Sequence, residues 1–331
     1  MGDEHLSERG LVLGFVLDGR GGGRRVSHNE LPILDLAPEE DLWLHWDRSH
    51  PDAQAWLRGQ AQLNEFTCDL LLEEATRPRL VPAAGEGVLL FLRGVNLNPG
   101  AVPEDMVALR VFSDAKRVVS LRLRPMKAVN QICEDLECGQ GPKTTSEVLL
   151  FLAHYLTNRV DDLGIALSEQ LDHLEESTEQ DERRLPDHGL LQTLRRRAAG
   201  LKRYLAPQRE IFAQLARHKL SWFLEDDSAY WNELHNRLTR NLEELEMSRE
   251  RISQLELLEQ RRLGERTSRT MYMLAIITGF FLPMSFFTGL LGINVGGIPG
   301  AGNEYGFLWA CAFSAAIALF QWSIFRWLRW L

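Results

Sequence analysis

Two short clusters hold the side chains from which a metal centre could be built. His45, Asp47, His50 and Asp52 offer imidazole and carboxylate donors within eight residues, the donor types that zinc accepts. The same stretch also reads as a turn into a helix, with Pro51 in the first turn and Ser49 or His50 as its cap. Cys133 and Cys138 form the second cluster, with Glu134, Asp135 and Glu137 between them. Its four-residue spacer has no second pair to complete a zinc site, and the competing reading is the end of an amphipathic helix. Gly21 to Gly23 form a loose turn, because no strand–loop–helix fingerprint surrounds them. No nucleophile–base pair, Walker loop or complete ligand set stands in the chain, so neither an enzyme nor a bound cofactor is expected.

The elements that must position any site are dominated by the C-terminal end. Met271 to Ile293 is a run of 23 residues without a charged side chain, and Phe307 to Phe325 is a second of 19. A helix needs about 20 apolar residues to cross a hydrocarbon core of ~30 Å. Core helices of that length normally carry a polar stripe, so two membrane spans are expected. Arg261, Arg262, Arg266 and Arg269 precede the first run, Arg326 and Arg329 close the second, and Glu304 is the only charge between them. The positive-inside bias then places both termini in the cytoplasm and the short loop outside, with Trp309, Trp322, Trp327 and Trp330 as interfacial anchors.

The loop itself reads Gly289-Leu290-Leu291-Gly292-Ile293-Asn294-Val295-Gly296-Gly297-Ile298-Pro299-Gly300. A Gly-x-Asn triplet at the outer end of the first of two terminal spans resembles the signature of the CorA-type divalent cation transporters. Most magnesium carriers of that family have Met in the middle position. Here Ile293 stands there and GGIPG follows, which resembles the ZntB zinc-transporter branch. Trp43-Leu44-His45, His50-Pro51-Asp52 and Leu92-Arg93-Gly94-Val95-Asn96 fit the same branch. The resemblance covers the whole chain. It implies a homopentamer in the inner membrane with the first span innermost, transported zinc as cargo, and proton coupling. Intersubunit carboxylate sites characterise the magnesium members, but no particular carboxylate here aligns with them.

The remainder divides into a mixed α/β domain over residues 1–143 and a helical hairpin and stalk over 144–270, an α+β architecture. The spans occupy 271–293 and 307–325, the loop 294–306 and a basic tail 326–331. Strands are predicted at 11–17, 88–93, 106–112 and 117–123 from their Val and Leu content. Thr144 to Glu147 is a capping box opening a helix that runs to about Gln180. A second helix runs from about Asp187 to His218, with Pro207 inside it. The third runs from about 226 through Ile293, marked by Leu234, Leu238, Leu242, Leu245, Ile252, Leu255 and Leu258. Residues 1–270 carry 45 acidic against 35 basic side chains, a balance that argues against nucleic acid and suits cations. The N-terminus lacks an apolar stretch, so no export signal is expected, and four cysteines give no disulfide framework.

Within the first span, Met271, Ala275, Thr278, Leu282, Ser285, Gly289 and Gly292 recur at heptad spacing. Such a seam of small or hydroxyl residues either packs helices closely or lines a narrow pore in a ring of copies. Asn294 would present its carboxamide oxygen at the outer mouth, suited to a cation that keeps its water shell. Gly292 and Asn294 are equally the residues that stop a helix. No His, Cys, Asp or Glu lies from Met271 to Asn294, so zinc would pass hydrated or transiently bound. Asp226, Asp227, Glu243 and Glu246 are candidates for sensing cytoplasmic cations, and Glu304 for concentrating them outside. Zinc transport leads. A magnesium or broad divalent channel of the same family is second, and a membrane-anchored sensor or scaffold is the reading from another class.

Overall fold

The computed structural model describes residues 9–74, 76–181, 185–218, 220–293, 302 and 304–327. The chain forms two compact units, Met1–Glu256 and Leu257–Leu331.

The first unit is built on one seven-stranded sheet. Its strands are β1 (Leu11–Leu17), β2 (Gly23–Arg25), β3 (Asp41–Asp47), β4 (Arg79–Pro82), β5 (Val88–Gly94), β6 (Val107–Ser113) and β7 (Arg117–Arg122). Their order is β2-β1-β3-β7-β6-β5-β4. Every neighbouring pair is antiparallel except β3 and β7, which run parallel. The period-2 alternation of a strand sorts each run between two cores. In β5, Val88, Leu90 and Leu92 join one core while Leu89 and Phe91 join the other. Both faces are covered, so the strand is apolar throughout. Helices α1 (Pro51–Gly59) and α2 (Glu65–Leu72) cover the face that includes Leu44 and Trp46. Helix α3 (Lys127–Glu137) and the first part of α4 (Thr145–Glu179) cover the other.

Side chains at the helix starts fix these boundaries. His50 Nδ1 accepts from the Asp52 amide at 3.2 Å, so His50, rather than Ser49, caps α1. Thr144 Oγ1 accepts from the Glu147 amide at 3.2 Å. Glu147 reaches back to the Lys143 amide at 2.7 Å, one residue before the cap, so two orphan donors are satisfied. Gly94 lies where β5 meets α4: a Cβ there would stand 2.4 Å from Leu156 Cδ2. A side chain there would force the ends of Leu156 and Met126 to shift.

Helices α4, α5 (His188–Arg217) and the start of α6 (Asp227–Leu291) form a three-helix bundle. Ion pairs give their directions. Arg237 pairs with Asp161, and Arg251 with Asp172 and Glu175, so α4 and α6 run parallel. Lys202 pairs with Glu246 and Arg195 with Glu256, so α5 runs antiparallel to α6. Trp231, Leu234, Leu238, Leu242, Leu245, Ile252 and Leu255 of α6 are all buried in the core that also contains the sheet residues Phe15, Trp43 and Leu109. The core is therefore continuous across residue 143.

The expected strands and long helices are present within one or two residues. Strands β2, β3 and β4 and helix α2 were not anticipated, and the loose turn read at Gly21 to Gly23 gives way to β2 at Gly23. Strand β3 (DLWLHWD) mixes tryptophan, histidine and acid, and β4 is only four residues long and ends at Pro82.

Burial dominates over charge in the bundle. Truncating a buried Trp costs about 3–5 kcal/mol, whereas a mostly exposed ion pair contributes about 0–1 kcal/mol. Trp231→Ala should therefore lower unfolding stability by about 3–5 kcal/mol, and Arg195→Ala by less than about 1 kcal/mol, in chemical denaturation of the purified protein. Equal costs would contradict this assignment.

Candidate functional site

Among the described residues, two helices are long and apolar enough to cross a membrane: α6, in its later part, and α7 (Gly306–Trp327). Within the second unit they run antiparallel. The Phe287 and Phe313 rings lie 4.6 Å apart, and Gln321 Nε2 donates to the Gly279 carbonyl at 3.4 Å.

That hydrogen bond follows from Pro283. Proline has no amide hydrogen, so the carbonyl four residues earlier, Gly279, loses its helical donor. An unsatisfied carbonyl in hydrocarbon costs several kcal/mol. Gln321, reaching over from α7, supplies the missing donor. Gly279 also admits the Phe325 ring, since a Cβ at 279 would stand 3.2 Å from Phe325 Cζ. Sequence reasoning missed Gln321. The available signal was a proline in one span and a single amide side chain in the other.

The α7 contact fixes the orientation of the first span. Ile276, Phe280, Met284 and Phe287 are half-buried, while the remaining residues from 271 to 291 are exposed. At about 100° per residue, the seam of Met271, Ala275, Thr278, Leu282, Ser285, Gly289 and Gly292 lies about 170° from the direction of Ile276, Phe280 and Phe287. All seven seam residues are exposed in the single chain, Leu282 by 68%. The seam is thus the face of α6 turned away from α7. Helix α6 ends at Leu291, and the Gly292 amide is shared between the Thr288 carbonyl at 3.0 Å and the Gly289 carbonyl at 3.1 Å. The Thr288 hydroxyl donates back to the Met284 carbonyl at 3.0 Å. Ile293 follows the helix end, and Glu304 is exposed in the turn before α7. Asn294, the rest of the loop to Gly300, Arg329 and Trp330 lie outside the described residues.

The first metal-like cluster does not converge. His45 is fully buried in β3, on the sheet face opposite α1, where its Nδ1 lies 2.8 Å from Ser120 Oγ. Trp43 Nε1 also donates to that hydroxyl, at 2.9 Å. Burial, and then the charge of Arg122, holds the His45 imidazole well below its ordinary range, so it is neutral. Asp47 accepts from the Ser49 amide at 2.8 Å, His50 caps α1, and Asp52 sits in the first turn of α1. The second cluster fails for a helical reason. Cys133 faces the core of α3 and burial pushes its thiol up to about 12, while Cys138 is the exposed C-cap residue. Two of the carboxylates considered for sensing have partners within the chain. Asp227 is buried and accepts from Ser146 Oγ and the Leu224 amide, and Glu246 pairs with Lys202 at 2.6 Å. Among the described residues, no group of three or more His, Cys, Asp or Glu side chains could hold a metal ion.

The described donors therefore leave the uncharged seam and the helix end above it as the candidate site. Residues 39–327 match the family described as CorA-like Mg2+ transporter protein. The chain is similar to the divalent cation transporter CmaX of Pseudomonas aeruginosa, 68% identical over 328 residues covering 99% of each chain. The solved structure of full-length CmaX, also 68% identical, superposes with a TM-score of 0.89 over 99% of this chain and 100% of that one. The zinc transport protein ZntB of Yersinia enterocolitica is 34% identical over 308 residues, covering 93% of this chain and 92% of its own.

If Gln321 serves the carbonyl that Pro283 exposes, the two residues are energetically coupled. Gln321→Leu should lower the unfolding stability of the detergent-solubilised protein by about 0.6–2 kcal/mol. In a Pro283→Ala background, where the helix recovers its own donor, the same substitution should cost almost nothing. An equal cost in both backgrounds would refute the coupling.

Proposed function

The chain belongs to the CorA-like Mg2+ transporter family, and on that premise we propose that it carries divalent cations, zinc foremost, across a membrane as a homo-oligomer. The observation that carries this reading is the uncharged seam of α6, exposed and turned away from α7. Two spans cannot enclose a water-filled path, so transport needs several copies around an axis. The proposed assembly is a homopentamer with its seams facing inward, in the inner membrane, with both termini on the cytoplasmic side. The arginines flanking the spans support that orientation.

In this arrangement Gly292 and Ile293 end the helix and Asn294 rings the outer mouth. Its carboxamide oxygens replace water contacts around a hydrated cation without adding fixed charge. Thr278 and Ser285 line the path below, with Leu282 between them as a narrow apolar step. Glu304 adds a weak attraction outside. Because the seam offers no nitrogen, thiolate or carboxylate ligand, zinc is carried without inner-shell capture by the span. Proton coupling belongs to the zinc reading. The span has no ionisable side chain to relay a proton, so protons would move with water along the same path.

Zinc is favoured by Ile293 and the GGIPG loop and by the similarity to a zinc transport protein. A broad divalent-cation channel is the second reading, favoured by the generic description of the 68% identical relative.

The test is metal entry into liposomes bearing the purified protein, read by trapped zinc and magnesium dyes with and without an imposed proton gradient. Zinc flux should exceed magnesium flux and rise with inward protons. Asn294→Ala should cut it about tenfold, a loss of roughly 1.4 kcal/mol at the entrance. Equal fluxes indifferent to protons would select the broad channel, and no flux of either ion would overturn transport.

A further inference from the structure

Pro283 interrupts the backbone bonding of the first span near its middle, and the interruption abuts the seam. Helix α6 continues through the proline to Leu291. Gly279, whose carbonyl loses its helical donor, directly follows Thr278, and Pro283 directly follows Leu282. At about 100° per residue, Pro283 stands about 40° from the direction of α7 and about 130° from the seam. Helices bend where the ladder of backbone bonds is broken. The side that has lost its bond is the side free to lengthen. A bend at Gly279–Pro283 therefore opens toward α7 and carries Leu282 with it.

Gln321 closes that gap only weakly. Its Nε2 lies 3.4 Å from the Gly279 carbonyl, beyond the usual range of about 2.7–3.2 Å. In the same helix the Gly292 amide meets the Thr288 carbonyl at 3.0 Å. Among the described residues, Gln321 Oε1 is buried without a hydrogen-bond partner. A half-satisfied amide between two spans is costly where no water reaches it. One long bond and one orphaned oxygen make a balance that a small free energy reverses. Beyond the proline the spans meet through the Phe287 and Phe313 rings, 4.6 Å apart. That contact is apolar and undirected, so it lets the outer half of α6 tilt when the amide lets go.

We propose that Gln321 is a positioning residue for the ion path, a latch on α7 that holds α6 at Pro283 and keeps Leu282 in line with the seam. The inference rests on reading the seam as the path. Latched, α6 presents the exposed Leu282 as an apolar step between Thr278 and Ser285. An apolar constriction resists wetting and so holds back a hydrated cation. Released, the Gly279 carbonyl and the Gln321 amide are both groups that water satisfies. Hydration at the level of Leu282 and release of the latch therefore favour one another. Gln321 sets how often the step opens without touching the cation.

The experiment is zinc flux into liposomes bearing the purified full-length protein, for the parent, Gln321→Leu and Gln321→Glu, over a range of pH. Each is also measured in a Pro283→Ala background, and every variant is compared with its own background at the same pH. Gln321→Leu removes the latch donor and should raise flux about threefold, equivalent to the ~0.6 kcal/mol that such interhelical bonds average. In Gln321→Glu the side chain donates only while its carboxyl is protonated. Its flux ratio should stay near parity at low pH and rise toward the Gln321→Leu value as the carboxyl ionises. From Met271 to Ile293 and from Phe307 to Phe325 there is no Asp, Glu, Lys, Arg or His to titrate alongside it. After Pro283→Ala the helix supplies its own donor to Gly279, so both effects should vanish. If Gln321→Leu does not assemble, the pH ratio of Gln321→Glu carries the same test. No gain in assembled Gln321→Leu, a Gln321→Glu ratio flat in pH, or equal gains after Pro283→Ala would each overturn the latch while the parent's flux upholds transport. A parent that carries neither zinc nor magnesium overturns the transport reading and the latch with it.

Discussion

A single missing hydrogen sets the orientation of the first span. Pro283 deprives the Gly279 carbonyl of its helical donor, and hydrocarbon offers no water to replace it. Gln321 provides the donor, and the absence of a side chain at Gly279 lets Phe325 close in beside it. These contacts commit one side of α6 to α7. The opposite side, with its small and hydroxyl-bearing residues, is exposed and turned away from α7. The proposed ion path is a consequence of this one commitment.

The first unit meets a different constraint. Its sheet is buried on both faces, and the bundle helices share a core with it rather than forming a separate body. Trp231 and the leucines after it bind the start of α6 to α4, α5 and the sheet through packing. The ion pairs from Arg237 and Arg251 fix register and direction more than stability. Asp227 at the beginning of α6 is bonded to Ser146 at the beginning of α4, which ties the two parallel helices together at their N-terminal ends.

Much of this was legible in the chain. The apolar runs, the arginines around them and the leucine stripe of α6 carry strong local periodicity, and the structure places helices there. Thr144 and Glu147 announced the start of α4 through capping chemistry alone. Strand β3 was hidden because its alternating residues, Trp43, His45 and Asp47 against Leu44 and Trp46, have types that also read as ligands. Only the sheet shows that His45 points into a core while His50 caps a helix on the other face. Cys133 and Cys138 were close in sequence but divided by the turn of α3 into one buried and one exposed thiol. Gln321 required tertiary knowledge, since its partner is a backbone carbonyl 42 residues away. Asn294 lies outside the described residues, and its proposed role rests on the resemblance of Gly292-Ile293-Asn294 to a family signature.

The most direct measurement is a cysteine scan of the first span, made in a chain whose Cys138 and Cys311 are serine and read as zinc flux before and after a charged thiol reagent. The orientation argued here predicts block at Thr278→Cys, Leu282→Cys and Ser285→Cys, and none at Ile276→Cys, Phe280→Cys or Phe287→Cys. Block at the second set, or at both sets alike, would contradict the assignment of the seam as the path.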